Sequence, residues 1–434
     1  MAFDGGGDDG GGGGRGEYGS MPQRERHVYD GTRMRTSAVK RDFIDYAASV
    51  VNRLETRIYD RDFRDQEAMQ PHKKYMRRTL PPVATLDEPA SAYAARFAHT
   101  SINKKRYAVN ALAWMPDGRR LVTGAQSGEF TLWGGTAFNF VTLLQAHDQA
   151  VRCLTFSNDD DWLISADQSG KVGYWKSTMA NFKMFAAHEA PIRCLTFAPT
   201  DLKFATGSDD QLLKIWDFGT QRLERELKGH NWDVRAADWH PQKSLLASGG
   251  KDSVVKMWDP RDAACVHTVY GHKNAILKVA WNKNGNWLVT SSRDQSMRLI
   301  DLRTLTELQS WKAPRREITS IEWHPVVEDL FATGAFDGSM AQWRVGTDKD
   351  QPVCEVPLAH DGTIWDMGWH PLGHVLATAS YDNFTRFWSR HEPGDTTLST
   401  YTRQRGPLEP ADPSMIPEAL GVSRATAVPP PAFG

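Results

Sequence analysis

A pattern that recurs about every 42 residues constrains this chain more than any other feature. In four copies a histidine is followed 28 residues later by a tryptophan that ends a short apolar run: His147 and Trp175, His188 and Trp216, His230 and Trp258, His360 and Trp388. His272 leads by the same spacing to Ile300. The positions that end the runs are Trp133, Trp175, Trp216, Trp258, Ile300, Trp343 and Trp388. This period is typical of blades of four strands each, so the sequence predicts an all-β, seven-bladed β-propeller.

Each copy also carries polar residues at fixed positions. An aspartate lies six residues before the end of most runs, and a serine or threonine ends the preceding strand. This spacing resembles the WD-repeat family, in which histidine, aspartate, hydroxyl and tryptophan form a buried hydrogen-bonded chain within each blade. The resemblance implies that role for His188, Asp210, Trp216, His230, Asp252, Trp258, His360, Asp382 and Trp388. A histidine, an aspartate and a hydroxyl also suggest a hydrolase, but a set repeated once per blade indicates architecture, so no catalytic residue is predicted.

Composition narrows the class of protein. The 434 residues contain 52 Lys and Arg against 53 Asp and Glu, so the net charge gives no global sign of nucleic-acid binding. Cys153, Cys194, Cys265 and Cys354 lack paired metal spacing, which predicts reduced cysteines, no metal and no cofactor. No apolar run approaches the ~20 residues of a membrane span. We therefore expect a soluble, intracellular protein with no membrane association.

Four regions differ in character. Residues 1–21 are dominated by glycine, and residues 393–434 are rich in proline, so both are predicted to be disordered. Residues 22–90 are predicted to form a basic arm and an amphipathic helix at about 42–65. Residues 91–392 hold the propeller, whose ring must close because an open sheet edge is a liability. We expect about Tyr93–Thr100 to be the outer strand of blade seven, with the arm emerging beside blades seven and one.

The arm concentrates positive charge in a chain that is otherwise near neutral. Residues 24–41 hold six Lys or Arg and two acidic residues, with Tyr29 among them. A basic segment with an aromatic side chain can track phosphates and stack a base. A solvated tail or a nuclear import signal fits the same charge, so the residues alone leave both interpretations open. We expect the arm, the cluster Lys104-Lys105-Arg106 and Phe140 to lie near one another.

Segments outside the repeats resemble one WD-repeat subfamily. Tyr29–Arg35, Ile44-Asp45-Tyr46, Arg119–Gly124 and Phe138-Asn139-Phe140 are similar to the WD-repeat subunit of the cleavage and polyadenylation specificity factor, called polyadenylation factor subunit 2 in fungi. The resemblance implies a nuclear, non-catalytic scaffold and RNA-recognition subunit of the pre-mRNA 3′-end cleavage and polyadenylation machinery. The implied partners are a large propeller scaffold subunit, a CCCH zinc-finger subunit, the pre-mRNA and, indirectly, poly(A) polymerase and its tether.

The same resemblance implies a set of RNA-binding residues. In animal members, the arm and blade one help to hold the AAUAAA signal by pinching a non-Watson–Crick U·A pair between aromatic rings. By position, the stacking residues would be Tyr29 and Phe140, with Leu143 beside them. The residues that would contact phosphates or base edges are Arg33, Arg35, Arg41 and Lys104. Animal members are more basic at Thr32, so we expect weaker binding and a looser signal in this chain.

Two other functions fit parts of the sequence. Trp258-Asp259-Pro260-Arg261 matches the short WD-x-R motif of substrate receptors for cullin-type ubiquitin ligases, although the repeat itself fixes two of the four residues. An enzyme is the third possibility. No nucleophile–base pair or metal set lies outside the repeats, so the chain is predicted not to be an enzyme.

Overall fold

The computed structural model describes residues 81–86, 92–103, 105–312, 316–346 and 351–390. In these residues, seven antiparallel sheets of four strands each follow one another along the chain, which confirms the predicted seven-bladed propeller. A short 3₁₀ helix at Pro82–Thr85 precedes them. The glycine-rich segment, the basic arm with its predicted helix, and the proline-rich segment lie outside the described residues.

Within blades one to six, the strands run from the central channel outwards in chain order. Blades one and two contain β2 (Val109–Trp114), β3 (Arg120–Ala125), β4 (Glu129–Gly134), β5 (Phe140–Gln145), and β6 (Val151–Phe156), β7 (Trp162–Asp167), β8 (Lys171–Lys176), β9 (Asn181–Ala186). Blades three and four contain β10 (Ile192–Phe197), β11 (Lys203–Ser208), β12 (Leu213–Asp217), β13 (Leu223–Leu227), and β14 (Val234–Trp239), β15 (Leu246–Gly250), β16 (Val255–Asp259), β17 (Ala264–Val269). Blades five and six contain β18 (Ile276–Trp281), β19 (Trp287–Ser292), β20 (Ser296–Asp301), β21 (Thr306–Lys312), and β22 (Ile318–Trp323), β23 (Leu330–Ala335), β24 (Met340–Arg344), β25 (Cys354–Val356). We call the face with the loops that lead into the inner strands the upper face, and the opposite face the lower face.

Blade seven combines the two ends of the propeller. Its inner three strands are β26 (Ile364–Trp369), β27 (Val375–Ser380) and β28 (Phe384–Ser389), and its outer strand is β1 (Arg96–Ile102), which pairs antiparallel with β28. The sequence placed this outer strand at about Tyr93–Thr100. Pairing begins later because the backbone of Ala94 is bonded to the side chain of Gln342 instead, at 3.2 Å for its N–H and 2.8 Å for its carbonyl.

The chain therefore approaches blade seven from blade six. Tyr93 is buried in a cluster with Val327 and Leu330, and Gln342 lies on β24 of blade six. The basic arm, which we expect to emerge beside blades seven and one, lies outside the described residues. The described residues immediately before β1 contact blade six through the backbone of Ala94 and the ring of Tyr93.

Blades three, four and seven each contain a hydrogen-bonded chain of four polar groups. In blade three, Trp216 Nε1–H donates to Thr206 Oγ1 at 3.0 Å, this hydroxyl meets His188 Nε2 at 2.8 Å, and His188 Nδ1 meets Asp210 at 2.6 Å. The corresponding chains are Trp258, Ser248, His230 and Asp252, and Trp388, Thr378, His360 and Asp382. Burial opposes ionisation, yet the histidine hydrogen bond holds the pKa of Asp210 and Asp252 below the usual aspartate range. Each buried polar atom of these chains thus has a partner.

In blades one and two the acidic residue is displaced by two positions. The repeat pattern put Ser127 and Ser169 where other blades have aspartate. In blade two, His147 Nδ1 instead meets Asp167 at 3.2 Å. In blade one, Lys105 replaces the histidine and its Nζ lies 2.7 Å from Glu129. A search for an acidic residue at one fixed position of the repeat misses both carboxylates. Each can still serve, because residues two positions apart on a strand share a face.

Histidines on the lower face join neighbouring blades. His370 Nε2–H donates to the carbonyl of Gly118 in blade one at 3.0 Å, while its Nδ1 accepts from Leu372 N–H at 3.1 Å. His324 makes the equivalent contact with Gly373, at 3.0 Å. Gly118 has φ of +67°, and a Cβ there would lie 2.5 Å from the His370 ring. Both ring nitrogens of His370 are used in the neutral form, and burial lowers the pKa of His324 and of His370 to about 4.

We predict that these two histidines make the propeller less stable in mild acid. In the unfolded chain each binds a proton with a pKa of about 6.5, whereas in the folded chain neither does so until about pH 4. The unfolded state therefore binds more protons as pH falls below 6.5, and the free energy of unfolding falls with it. The expected loss is about 2 kcal/mol per histidine between pH 7.5 and pH 5, measured by urea unfolding.

A matched variant tests the assignment. Blade five carries Asn282 at the equivalent position, and its amide donates to the carbonyl of Glu328 in blade six at 2.7 Å. The His370→Asn variant can therefore keep the inter-blade bond without a titrating ring. It should lose about 2 kcal/mol of the pH dependence between pH 7.5 and pH 5. An unchanged pH dependence in a folded variant would contradict the assignment.

We predict that the central hydroxyl contributes more to stability in a blade with all four hydrogen-bonded groups than in blade one, which has fewer. In the Thr206→Val variant, His188 Nε2 and Trp216 Nε1 both lose their partner. In Thr123→Val, Trp133 Nε1 loses its partner and the Thr131 carbonyl loses one donor, but no histidine is affected, because blade one has none there. Each unsatisfied buried group costs about 1–3 kcal/mol. Urea unfolding should show a larger loss for Thr206→Val, and equal losses would show that the histidine bond contributes nothing.

Candidate nucleic-acid interface

The turn between β4 and β5 is anchored to blade seven by Phe138. This residue is fully buried, and its ring stacks on Phe387 with centroids 4.0 Å apart and planes 14° apart. Its carbonyl accepts a hydrogen bond from Ser101 Oγ on β1 at 2.7 Å. Phe138 adopts φ of +49°, an uncommon conformation for a bulky residue, which the surrounding contacts must hold. The anchor fixes the point at which β5 begins.

A bulge places Phe140 and Leu143 on one face of blade one. The register of β4 and β5 pairs Thr131 with Leu143 and Trp133 with Phe140, and the shift between these pairs leaves Val141 unpaired. Partners across two strands share a face, and Thr131 and Trp133 are two residues apart, so Phe140 and Leu143 emerge on the same side. Without the bulge, their spacing of three would put them on opposite faces.

That face is both aromatic and accessible. Trp133 belongs to the core cluster shared with blade seven, and the ring of Phe140 packs edge-on against it at 6.2 Å. The exposed fractions of Phe140 and Leu143 are 41% and 38%, and Val141 beside them is exposed as well. An exposed ring supported from below by a buried one can accept a stacked base on its free side.

Two exposed arginines that the resemblance does not assign to RNA lie at the same end of blade one as Phe140. Arg119 and Arg120 are exposed at the start of β3, on the lower face. The carbonyl of Arg119 accepts from Gly135 N–H at 2.7 Å, and Arg120 pairs with Gly134, whose N–H is bonded to the carbonyl of Asn139. The sequence signal that could have identified them is a pair of adjacent arginines after a turn. Their charges lie at the same end of blade one as Phe140, where they can attract a phosphate.

The expected cluster around Phe140 is split along the blade. Lys105 pairs with Glu129, at the upper end of β4, whereas Phe140 pairs with Trp133 at the lower end. Four residues of strand separate the two ends by roughly 13 Å. Lys105 and Phe140 therefore lie at opposite ends of blade one, with Leu143 between them. The other predicted RNA-binding residues, Tyr29, Arg33, Arg35, Arg41 and Lys104, lie outside the described residues.

Other candidate chemistry lies elsewhere in the described chain. Arg261 of the WD-x-R motif is exposed in the turn before β17, with its backbone N–H on Asp259 at 2.9 Å. Burial raises the pKa of the Cys153 and Cys354 thiols to about 12, so both are neutral at physiological pH. Among the residues that the structure describes, no group of three or more His, Cys, Asp or Glu could hold a metal ion. Across the same residues, no helix is long and apolar enough to span a membrane.

Comparison with known proteins identifies the repeats and the subfamily. The family model described as WD domain, G-beta repeat, matches residues 97–134, 138–176, 180–217, 221–259, 263–301 and 352–389. Each segment holds the outer strand of one blade and the inner three strands of the next, and only β21 of blade five and β22–β24 of blade six lie outside the matches.

Three fungal relatives carry one name. The polyadenylation factor subunit 2 of Gibberella zeae is 41% identical over 357 residues, which cover 76% of this chain and 58% of the relative. That of Cryptococcus neoformans is 45% identical over 327 residues, covering 75% and 46%. That of Eremothecium gossypii is 38% identical over 333 residues, covering 75% and 74%. The chain thus spans little more than half the length of the Gibberella relative. It belongs to the polyadenylation factor subunit 2 family of WD-repeat proteins.

Proposed function

We propose that this chain is a non-catalytic, nuclear subunit of the pre-mRNA 3′-end cleavage and polyadenylation machinery that helps to bind the poly(A) signal. The observation that carries the proposal is the family itself: relatives 38–45% identical over three quarters of the chain are named polyadenylation factor subunits. A propeller without a local catalytic set suits a scaffold. Pre-mRNA is processed in the nucleus, which is the reason for the proposed location.

The surface proposed to contact RNA is the strip Phe140–Leu143 with Arg119 and Arg120 at its lower end. Single-stranded RNA is recognised by stacking of unpaired bases on aromatic rings and by charge on its phosphates. Phe140 offers the ring, Leu143 an apolar neighbour on the same face, and the two arginines offer charge. On the resemblance alone, Tyr29 would stack on the other side of the base pair, and Arg33, Arg35, Arg41 and Lys104 would hold phosphates or base edges.

The proposed assembly follows the family resemblance as well. The partners are a large propeller scaffold subunit, a CCCH zinc-finger subunit and, indirectly, poly(A) polymerase with its tether. A propeller offers several independent surfaces, because each blade presents its own outer strand and loops. The RNA strip occupies only the outer edge and lower end of blade one, which leaves the other blades for protein partners.

We predict that Phe140→Ala weakens binding of an AAUAAA oligonucleotide about tenfold, because stacking on an aromatic ring contributes ~1–3 kcal/mol per base. Fluorescence anisotropy with the full chain, alone and with the CCCH zinc-finger subunit, would measure this. The matched control is Phe182→Ala: Phe182 is exposed on β9, the outer strand of blade two, and packs edge-on against Trp162 at 5.3 Å. It should bind as the unaltered chain does. Equal binding by the Phe140 variant and the control would contradict the proposed base contact.

A second variant separates charge from base recognition. Arg119→Gln should weaken binding of AAUAAA and of a scrambled oligonucleotide equally, and should reduce the slope of log affinity against log salt by about one. A variant that loses AAUAAA selectivity instead would make Arg119 a base reader. If neither oligonucleotide binds, even with the zinc-finger subunit present, the chain is a scaffold without RNA contact.

A further inference from the structure

The second residue of every inner strand is turned out of its ladder and into the central channel. At this position the register of each inner strand shifts by one residue, as between Val151 and Cys153. A bulge re-aims the side chain that it displaces. The seven displaced residues are Asn110, Arg152, Arg193, Arg235, Leu277, Thr319 and Trp365. All of them line one cavity, which opens on the upper face.

Arginines from blades two, three and four occupy one side of this opening. Arg193 forms a forked pair with Asp209 at 2.6–3.0 Å, and Arg235 lies 3.2 Å from Asp233. Arg152 Nη2 donates a hydrogen bond to Gln168 Oε1 at 2.8 Å. Its buried Nε has no hydrogen-bond partner in the described part of the chain. Its pKa is lowered by burial and by the charge of Arg193. An anion at Arg152 would supply the missing acceptor.

The charge of this side can be counted. Lys251 also approaches Asp233, at 3.8 Å, so four cations (Arg152, Arg193, Arg235 and Lys251) share two carboxylates, which leaves a charge of +2. The floor of the cavity adds no positive charge, because three carboxylates act on Lys278: Asp366, which lies 3.7 Å from it, Glu322 and Asp238. A phosphate monoester carries about −1.5 to −2 at neutral pH and accepts several hydrogen bonds, which suits this side.

Aromatic side chains occupy the other side of the same opening. Trp365 holds the bulge position in blade seven, while Phe336 and Tyr381 begin the neighbouring turns of blades six and seven; all three are exposed. Thr363 links the two turns: its hydroxyl donates to the carbonyl of Phe336 at 3.0 Å, and its carbonyl accepts from Tyr381 N–H at 2.9 Å. The opening therefore combines a cationic side with an apolar one.

We propose that the upper opening of the channel binds a phosphorylated peptide segment of a partner protein, with the phosphate on Arg152, Arg193 and Arg235 and a large apolar side chain on Phe336, Trp365 and Tyr381. A cavity that the inner strands surround suits one inserted group better than a continuous polyanion. The carboxylates of Asp209 and Asp233 at the rim also disfavour RNA, whose successive phosphates they would repel. This site is separate from the strip on blade one, and its test does not depend on whether the strip binds RNA.

The test is competitive retention of peptides by the immobilised full chain. The probe is an equimolar pool of eleven-residue peptides with a central serine or phosphoserine and randomised flanks, read by mass spectrometry. We expect phosphorylated members to be retained at least tenfold over their unmodified counterparts, with aromatic or large aliphatic residues enriched near the phosphate. Equal retention of the two forms would overturn the proposal.

Matched variants locate the binding. Arg152→Gln should abolish the preference for phosphate, as should Arg235→Gln at a more exposed position, while Trp365→Ala should lose the apolar preference and keep the phosphate preference. Lys171→Gln removes the same charge from the upper end of β8, the third strand of blade two, where Lys171 pairs with Asp148 at 3.2 Å and does not line the cavity. It should retain peptides as the unaltered chain does, and all variants should unfold at the same urea concentration. An equal effect of Lys171→Gln, or tighter retention of an oligouridine that is lost in Arg152→Gln, would refute a peptide site.

Discussion

Every blade of this propeller depends on the closure of the ring. A single four-stranded sheet of this size cannot bury both faces, so each blade is stable only between two neighbours. Blade seven is the critical one, since its outer strand comes from the beginning of the propeller and its other three from the end. The seam with blade one is held by stacking of Phe138 on Phe387, and by hydrogen bonds from His370 Nε2–H to Gly118 and from Trp114 Nε1–H to Gly368. Polar contacts of exact length at the seam set the register that hydrophobic packing alone would leave loose.

The same closure explains where function can be built. Buried polar chains such as Trp216, Thr206, His188 and Asp210 consume their donors and acceptors within one blade, so they have none left for a ligand. The candidate surfaces arise where the repeat is broken or displaced. Phe140 is exposed because the bulge at Val141 turns it to the face of Leu143, and Arg152 points into the channel because a bulge removes it from its ladder.

The two candidate surfaces differ in chemistry and lie at different places on the propeller. The strip on blade one lies on an outer strand, carries an exposed aromatic ring and shares its lower end with two exposed arginines, which suits a flexible single strand. The upper opening is concave and divides into a cationic and an apolar side, which suits one charged group and one neighbouring side chain. Only the first of them rests on the family to which the chain belongs; the second rests on the geometry of the inner strands.

The sequence by itself determined the number of blades, the positions of their buried tryptophans and the family, because these depend on a period of about 42 residues and on local motifs that repeat. It also predicted that the ring closes with a strand from the chain's beginning. It could not place that strand to the residue, since Gln342, far away in the chain, takes the backbone of Ala94. Nor could it find Glu129 and Asp167 as substitutes in blades one and two, the position of Arg119 and Phe140 at the same end of blade one, or the cavity that three arginines line together with Trp365. Those were decided by tertiary structure, because bulges and strand register bring together side chains whose separation along the chain carries no pattern.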